Sequence, residues 1–227
     1  MDIRLHFLEA AGSLGQWRTQ MQVEAKAVAG RIDALVAAVD RTHSVDVLIK
    51  QSKWGIIPEL GLGGSCYEAH LVTIAVAPAS ENFAASMRNG DFGSTLAHEL
   101  HHPLRHASTG YGATLGEAIV SEGLADHFAT EVTGCKQPMW SNAAGLGLDV
   151  VDQAKQELER VDYDHPAWFF GRGSLPRWAG YAIGWELVSA YLARHPTETA
   201  GALASVNADV ILRDAWQEMR SNLDAAN

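Results

Sequence analysis

Apolar residues recur at helical spacing from about Gln16 to Val39. Trp17, Met21, Val28, Ile32, Leu35, Val36 and Val39 form one stripe, and Arg18, Glu24, Lys26 and Asp33 fall off it. That period predicts a long amphipathic helix with its apolar face in a core. Before it, Ile3–Leu8 reads as a short strand. After it, the β-branched run Val45-Asp46-Val47-Leu48-Ile49 reads as a second. Ala69–Val76, closed by Pro78, is a third strand. Between these, Ile57–Ser65 is dense in glycine but lacks the Lys-Ser/Thr ending of a phosphate loop. It predicts a turn or flexible hairpin.

The pattern then becomes helical. A helix is expected to start after Asp91 or at Ser94, either of which can cap it. Pro103 removes a backbone donor and disfavours helical geometry at His102, so the helix is expected to kink or end there. A second helix runs from about Leu115 to Thr133 and stops at Gly134, with Thr114 and Glu117 forming a capping box. Asp149–Val161 predicts an acidic amphipathic helix with Val150, Val151, Ala154, Leu158 and Val161 inward. Loops around it carry Trp140, His165, Trp168, Phe169 and Phe170. Arg177–His195 predicts a helix with Trp178, Tyr181, Trp185, Val188 and Leu192 on one face, stopped by Pro196, and a last helix covers about Asp209–Leu223. No internal repeat or linker interrupts the chain. The expected fold is α+β and single-domain: a small sheet with helices over about 1–105, then a mainly helical lobe over about 106–227.

Composition narrows the partners. The chain has 227 residues, 47% of them hydrophobic and 19% charged, which suits a globular protein with a real core. A formal net charge of −10 argues against nucleic acid or an anionic membrane as the main partner. No run approaches a membrane span, and Met1–Glu9 lacks the apolar core of a signal peptide, so the expected location is cytoplasmic. Cys66 and Cys135 lie outside any C-x-x-C pattern and are expected to be buried thiols, with one disulfide left open.

The chemistry concentrates in Thr95-Leu96-Ala97-His98-Glu99-Leu100-His101-His102. On a helix His98 and His102 stand one turn apart on the same face. Two imidazoles can then hold one zinc ion, while Glu99 on the adjoining flank reaches a water beside it. A catalytic zinc needs a third protein ligand, and Glu122 supplies one, since Glu117 has a structural role in the capping box. His101 and His106 compete as ligands, but choosing His101 takes Glu99 out of its paired role, and Pro103 breaks the turn before His106. Both are expected at the surface or in support of the ligands, and His127 is expected to be structural. Asp126, one turn beyond Glu122, is placed to orient a ligand histidine through its second N–H; an exposed salt-bridge carboxylate is the alternative. The strand Ala69–Val76 could pair with an extended substrate backbone or be an ordinary internal strand.

The spacing of His98-Glu99-x-x-His102, nineteen residues, then Glu122-x-x-x-Asp126, resembles the signature of the gluzincins. More closely, three blocks are similar to the DUF2268 group of predicted zinc-dependent proteases. They are His98–His102, Glu122–Phe128 and Gly180-Tyr181-Ala182-Ile183-Gly184-Trp185-Glu186-Leu187-Val188. The resemblance implies a zincin-like fold, with the glutamate as third ligand and the aspartate supporting a histidine. It also makes Tyr181 the first candidate for oxyanion stabilisation, with His165 and Tyr111 in reserve. The glycine and histidine of the metzincin pattern are replaced by Arg105 and Ser108, and the Gly-x-Met-Glu-Asn aminopeptidase motif is absent. The expectation is one zinc ion and a peptidase acting on peptides or unfolded segments, with Glu99 as general base and acid. A zinc amidase or other non-peptide hydrolase is one rival, and a low-turnover binding module on the same scaffold is another.

Overall fold

The computed structural model describes residues 1–35 and 44–226. It is α+β, a four-stranded mixed sheet followed by a mainly helical portion. The chain divides into two compact units, Met1–Ala107 with Ala129–Gly134, and Ser108–Phe128 with Cys135–Asn227.

The first unit is built on strands β1 (Asp2–Leu8), β2 (Ser44–Gln51), β3 (Leu62–Glu68) and β4 (Leu71–Val76), in the order β1-β2-β4-β3. β1, β2 and β4 are parallel, and β3 returns antiparallel to β4 as an edge strand. Alternation puts Val45, Val47, Ile49, Val72, Ile74, Val76 and Leu62 on one fully buried face. Helix α1 (Gly15–Leu35) joins its core through Met21, Ala25, Val28 and Ile32, and helix α3 (Asp91–His106) through Phe92, Leu96 and Leu100. The α1 stripe is narrower than its periodicity suggests. Trp17 is half-buried and Leu35 is 44% exposed, while Val36 and Val39 lie outside the described residues.

Two expectations change here, and one open alternative is settled. The Ile57–Ser65 stretch is a turn only to Gly61, and Gly63, Gly64 and Ser65 belong to β3, because β4 supplies a pairing partner that composition does not reveal. β4 is paired on both sides, which is the internal-strand alternative, and β3 stands at one edge of the sheet with Leu62 bridged to Ile57. Finally, α3 neither starts at a capping side chain nor stops at His102. Gly90, at φ 81°, ends helix α2 (Glu81–Asn89) and opens α3. The helix runs through Pro103 to His106, and Ala107 N–H bonds to the Pro103 carbonyl at 3.0 Å. Proline withholds one hydrogen bond, but α3 is buried on nearly every side from Phe92 to Arg105, and that packing outweighs the loss.

In the second unit, helix α4 (Leu115–Thr133), whose last turn belongs with the first unit, has the expected ends. Glu117 N–H donates to Thr114 Oγ1 at 3.2 Å, Thr114 N–H to Glu117 Oε2 at 2.9 Å, and Gly134 adopts φ 69°. Helix α5 (Leu148–Glu157) buries Val150, Val151 and Ala154, but Val161 lies past its end and is 71% exposed. Trp140 sits in a short 3-10 turn, Met139–Ser141. The aromatic segment His165–Phe170 is helix α6 and not a loop, capped by Asp164, whose Oδ1 accepts from Ala167 N–H at 3.1 Å. Helix α7 (Ala179–Arg194) buries Ala179, Gly180, Ile183, Gly184 and Leu187, leaving Tyr181 and Trp185 half-buried. Its closest-packed positions are therefore the glycines, while of the predicted stripe only Val188 is fully buried.

The reason is a backbone-to-backbone crossing. A Cβ on Gly123 of α4 would stand 2.2 Å from the Gly184 carbonyl oxygen, and one on Gly184 2.4 Å from the Ile119 carbonyl oxygen. Only glycine permits that approach. Helix α8 (Ala208–Ala226) closes the unit with Ile211, Ala215, Trp216 and Met219 inward. No described helix is long and apolar enough to cross a membrane.

Candidate metal centre

Helix α3 is held at its N-terminus by α1. Glu24 Oε2 accepts from Gly93 N–H at 2.9 Å, satisfying one of the helix's unpaired donors and placing a carboxylate at the positive end of its dipole. Gln20 ties Glu24 to the Met87 carbonyl at the end of α2. The helix so fixed buries not only apolar residues but also His98, Glu99, His101, His102 and Arg105. Burying that many titratable groups in under two turns opposes folding unless they are partnered, and such concentrations mark functional sites.

His98 and His102 occupy one face, their rings 5.2 Å apart and nearly perpendicular. Glu99 turns toward β3. A Cβ on Gly64 would fall 2.3 Å from Glu99 Cγ and 2.4 Å from its Oε1, so the glutamate lies directly on the strand backbone where a side chain is missing. On α4, Glu122 is buried and accepts from the Tyr111 hydroxyl through Oε1 at 2.6 Å. Ser121 Oγ donates to the Tyr111 carbonyl at 2.7 Å. Asp126 is fully buried, which excludes the exposed salt bridge. It accepts from Trp140 Nε1 at 3.0 Å and from the Ser141 hydroxyl.

His98, His102 and Glu122 each offer a ligand atom, and these atoms lie within 4.8 Å of one another, all three residues buried. Two imidazoles and a carboxylate are a donor set that suits zinc and leaves a coordination position for water. The residues fit the ion. Glu117, by contrast, spends its carboxylate on the Ala113 and Thr114 amides.

The other histidines and tyrosines sort by environment. His101 is fully buried, contrary to a surface placement, because α3 has almost no exposed face; His106 is half-buried. His127 stacks on Trp185 with centroids 3.9 Å apart, and its Nε2 meets the Trp185 carbonyl and the Ser189 hydroxyl, both at 3.1 Å. Burial lowers its pKa. Around Glu122 stand Tyr111, Tyr163 and His165, all within range of its charge. Burial, then that charge, raises the Tyr111 hydroxyl well above its usual range and Tyr163 to about 12. Burial lowers the pKa of His165, against the opposing pull of Glu122 and Asp164. Tyr163 OH lies 3.1 Å from His165 Nδ1, and the His165 ring stacks on Phe169, which meets Tyr181 edge-on at 5.1 Å. Cys66 is buried and Cys135 half-buried, both as thiols.

Sequence reasoning missed Gly64, Glu24, Tyr163 and the Trp140–Ser141 pair. Gly64, Glu24 and the Trp140–Ser141 pair act through contacts distant in sequence, whereas Tyr163 reaches His165 two residues on. Only Gly64, inside an apolar-flanked glycine run, carried a local hint of close backbone approach.

The chain is 32% identical over 134 residues to the uncharacterized protein YjaZ of Bacillus subtilis (strain 168), covering 54% of this chain and 51% of that protein. The alignment thus spans about half the length of this relative. Residues 29–213 match the family described as "Predicted Zn-dependent protease (DUF2268)". With most of its length matched, and with buried His98, His102 and Glu122 able to hold a metal, the chain belongs to the DUF2268 family of predicted zinc-dependent proteases.

Proposed function

We propose that this protein is a zinc peptidase that hydrolyses peptide bonds in extended peptides or unfolded segments. The observation that carries the proposal is the buried His98–His102–Glu122 group with Glu99 beside it on α3, laid against the edge strand at Gly64. His98, His102 and Glu122 would hold a single ion. When bound, zinc supplies a Lewis acid for the scissile carbonyl and makes water acidic enough to ionise near neutral pH.

Glu99 takes the proton of the attacking water and returns it to the leaving amine nitrogen. Its carboxylate is fixed by the strand, which keeps that proton transfer in one place. Beyond Leu62, whose outer side is taken by Ile57, β3 is an edge strand whose backbone donors and acceptors an extended peptide can pair with. Tyr181 and His165 are the donors proposed for the oxyanion of the tetrahedral intermediate. Tyr163 OH lies 3.1 Å from His165 Nδ1, and in the tautomer where the hydroxyl donates, the His165 N–H is on Nε2 and free to face a substrate oxygen. Asp126 is assigned to orienting a ligand histidine.

The test is mass-spectrometric profiling of a diverse peptide mixture with zinc-loaded protein beside Glu99→Gln. Cleavage by the wild type alone, with zinc bound equally by both proteins, is the expected result. Zinc-loaded wild type that cuts nothing would move the assignment to non-peptide amides or a binding role.

A further inference from the structure

We infer that Tyr111 is a positioning residue for the third metal ligand, holding the Glu122 carboxylate in the orientation that receives the ion. This rests on Glu122 being a ligand, as proposed above. Tyr111 is anchored to α4 at both ends. Its phenol donates to Glu122 Oε1 at 2.6 Å, and its backbone carbonyl accepts from the hydroxyl of Ser121, the neighbouring residue, at 2.7 Å. Ser121 is fully buried and Glu122 nearly so. The two bonds therefore fix a segment, and not a side chain alone, against the helix turn that carries the ligand.

A carboxylate offers about four acceptor sites on two oxygens, and one phenol fills one of them. The bond leaves Glu122 able to serve an ion while removing its freedom to rotate. The same count removes Tyr111 from the oxyanion candidates. A phenol has one O–H, and while it is donated to Glu122 it is not available to a substrate oxygen. A carboxylate that must be reoriented before it binds loses affinity, so the hydroxyl acts through Glu122 on the metal and not on the substrate. Supporting bonds of this kind are worth roughly ten- to a hundredfold in metal affinity.

The experiment is a zinc titration of the full-length chain against a chromophoric chelator, comparing wild type, Tyr111→Phe, Ser121→Ala and Glu122→Gln. Circular dichroism and melting of the metal-free proteins are recorded alongside. Tyr111→Phe is expected to keep its fold and bind zinc roughly ten- to a hundredfold more weakly. Its cobalt(II)-loaded form should show an altered visible ligand-field band, a change that a purely structural role would not produce. Ser121→Ala keeps the phenol but releases the segment, and is expected to weaken zinc by a smaller factor. It decides the matter if Tyr111→Phe does not fold. Wild-type zinc affinity in a folded Tyr111→Phe, whatever its turnover, overturns the inference, as does wild-type affinity in Ser121→Ala when it is the deciding variant. Wild-type affinity in Glu122→Gln instead removes the ligand assignment itself, so the two failures are distinct.

Discussion

Gly184→Ala probes how the third ligand's helix is placed. A Cβ at position 184 would stand 2.4 Å from the Ile119 carbonyl oxygen, 3.0 Å from Gly123 N and 3.2 Å from Gly123 Cα. Against a comfortable nonbonded separation of about 3.5 Å, the worst contact falls short by about 1 Å. Every obstructing atom is backbone of α4, so no rotamer change relieves it and the two helices must part. Overpacking of this kind costs about 1–3 kcal/mol, and rigid backbone on the far side favours the upper end. Alanine recovers about 1 kcal/mol of helix propensity, for a net loss of about 2 kcal/mol. For a chain of this size that is a fall of about 4–8 °C in melting temperature.

Gly30→Ala in α1 is the control, because nothing lies within 4 Å of its added Cβ and only the propensity gain applies. It should melt higher than wild type by about 2–4 °C. The assays are thermal unfolding of the metal-free proteins and zinc competition. Since Glu122 adjoins Gly123, Gly184→Ala should also bind zinc more weakly, whereas Gly30→Ala should not. A Gly184→Ala protein that is stabilised like Gly30→Ala would refute the close crossing.

Gly64→Ala would bring a methyl to 2.3 Å from Glu99 Cγ and 2.4 Å from its Oε1, an overlap with a side chain and not with backbone, so zinc affinity should hold while Glu99 is displaced from the strand. Misplacement by about 1 Å predicts a roughly hundredfold loss in turnover of whichever peptide the wild type cleaves, and unchanged kcat would contradict the contact. Glu24→Ala removes the carboxylate at the α3 N-terminus and should cost about 1 kcal/mol, read as a lower urea midpoint at unchanged m. A midpoint equal to wild type would mean that the cap does not matter. Burial holds the folded pKa of His127 below its ordinary 6.5, so the unfolded chain takes up its proton first as pH falls. Its contribution to stability is complete above pH 6.5 and is lost as pH drops through that value toward the folded pKa, at no more than about 1.4 kcal/mol per pH unit. His106 and His165 are shifted the same way, so His127→Gln should flatten the acid-side decline in unfolding free energy only in part. An unchanged slope would show that His127 does not titrate differently on folding.

What the sequence determined by itself was whatever local chemistry dictates. The Thr114–Glu117 box and Gly134 bound α4 because capping and left-handed stops act within a few residues. His98 and His102 share a face because any helix puts residues four apart there, and short runs of β-branched and apolar residues marked β1, β2 and β4. Glu117 could be set aside in favour of Glu122 for the same local reason. Tertiary structure decided the rest, because the deciding partner is distant in sequence. Gly63–Ser65 is a strand only because β4 lies beside it, and that pairing makes β4 internal, one of the two readings its sequence left open. Pro103 stays inside α3 because burial along the whole helix outweighs one missing hydrogen bond. α7 turns its glycines inward and leaves Tyr181 and Trp185 half-buried because the α4 backbone is there to meet Gly184. Sequence made Tyr111 a reserve oxyanion donor; its bond to Glu122 depends on how the chain returns to α4, which periodicity and spacing do not encode.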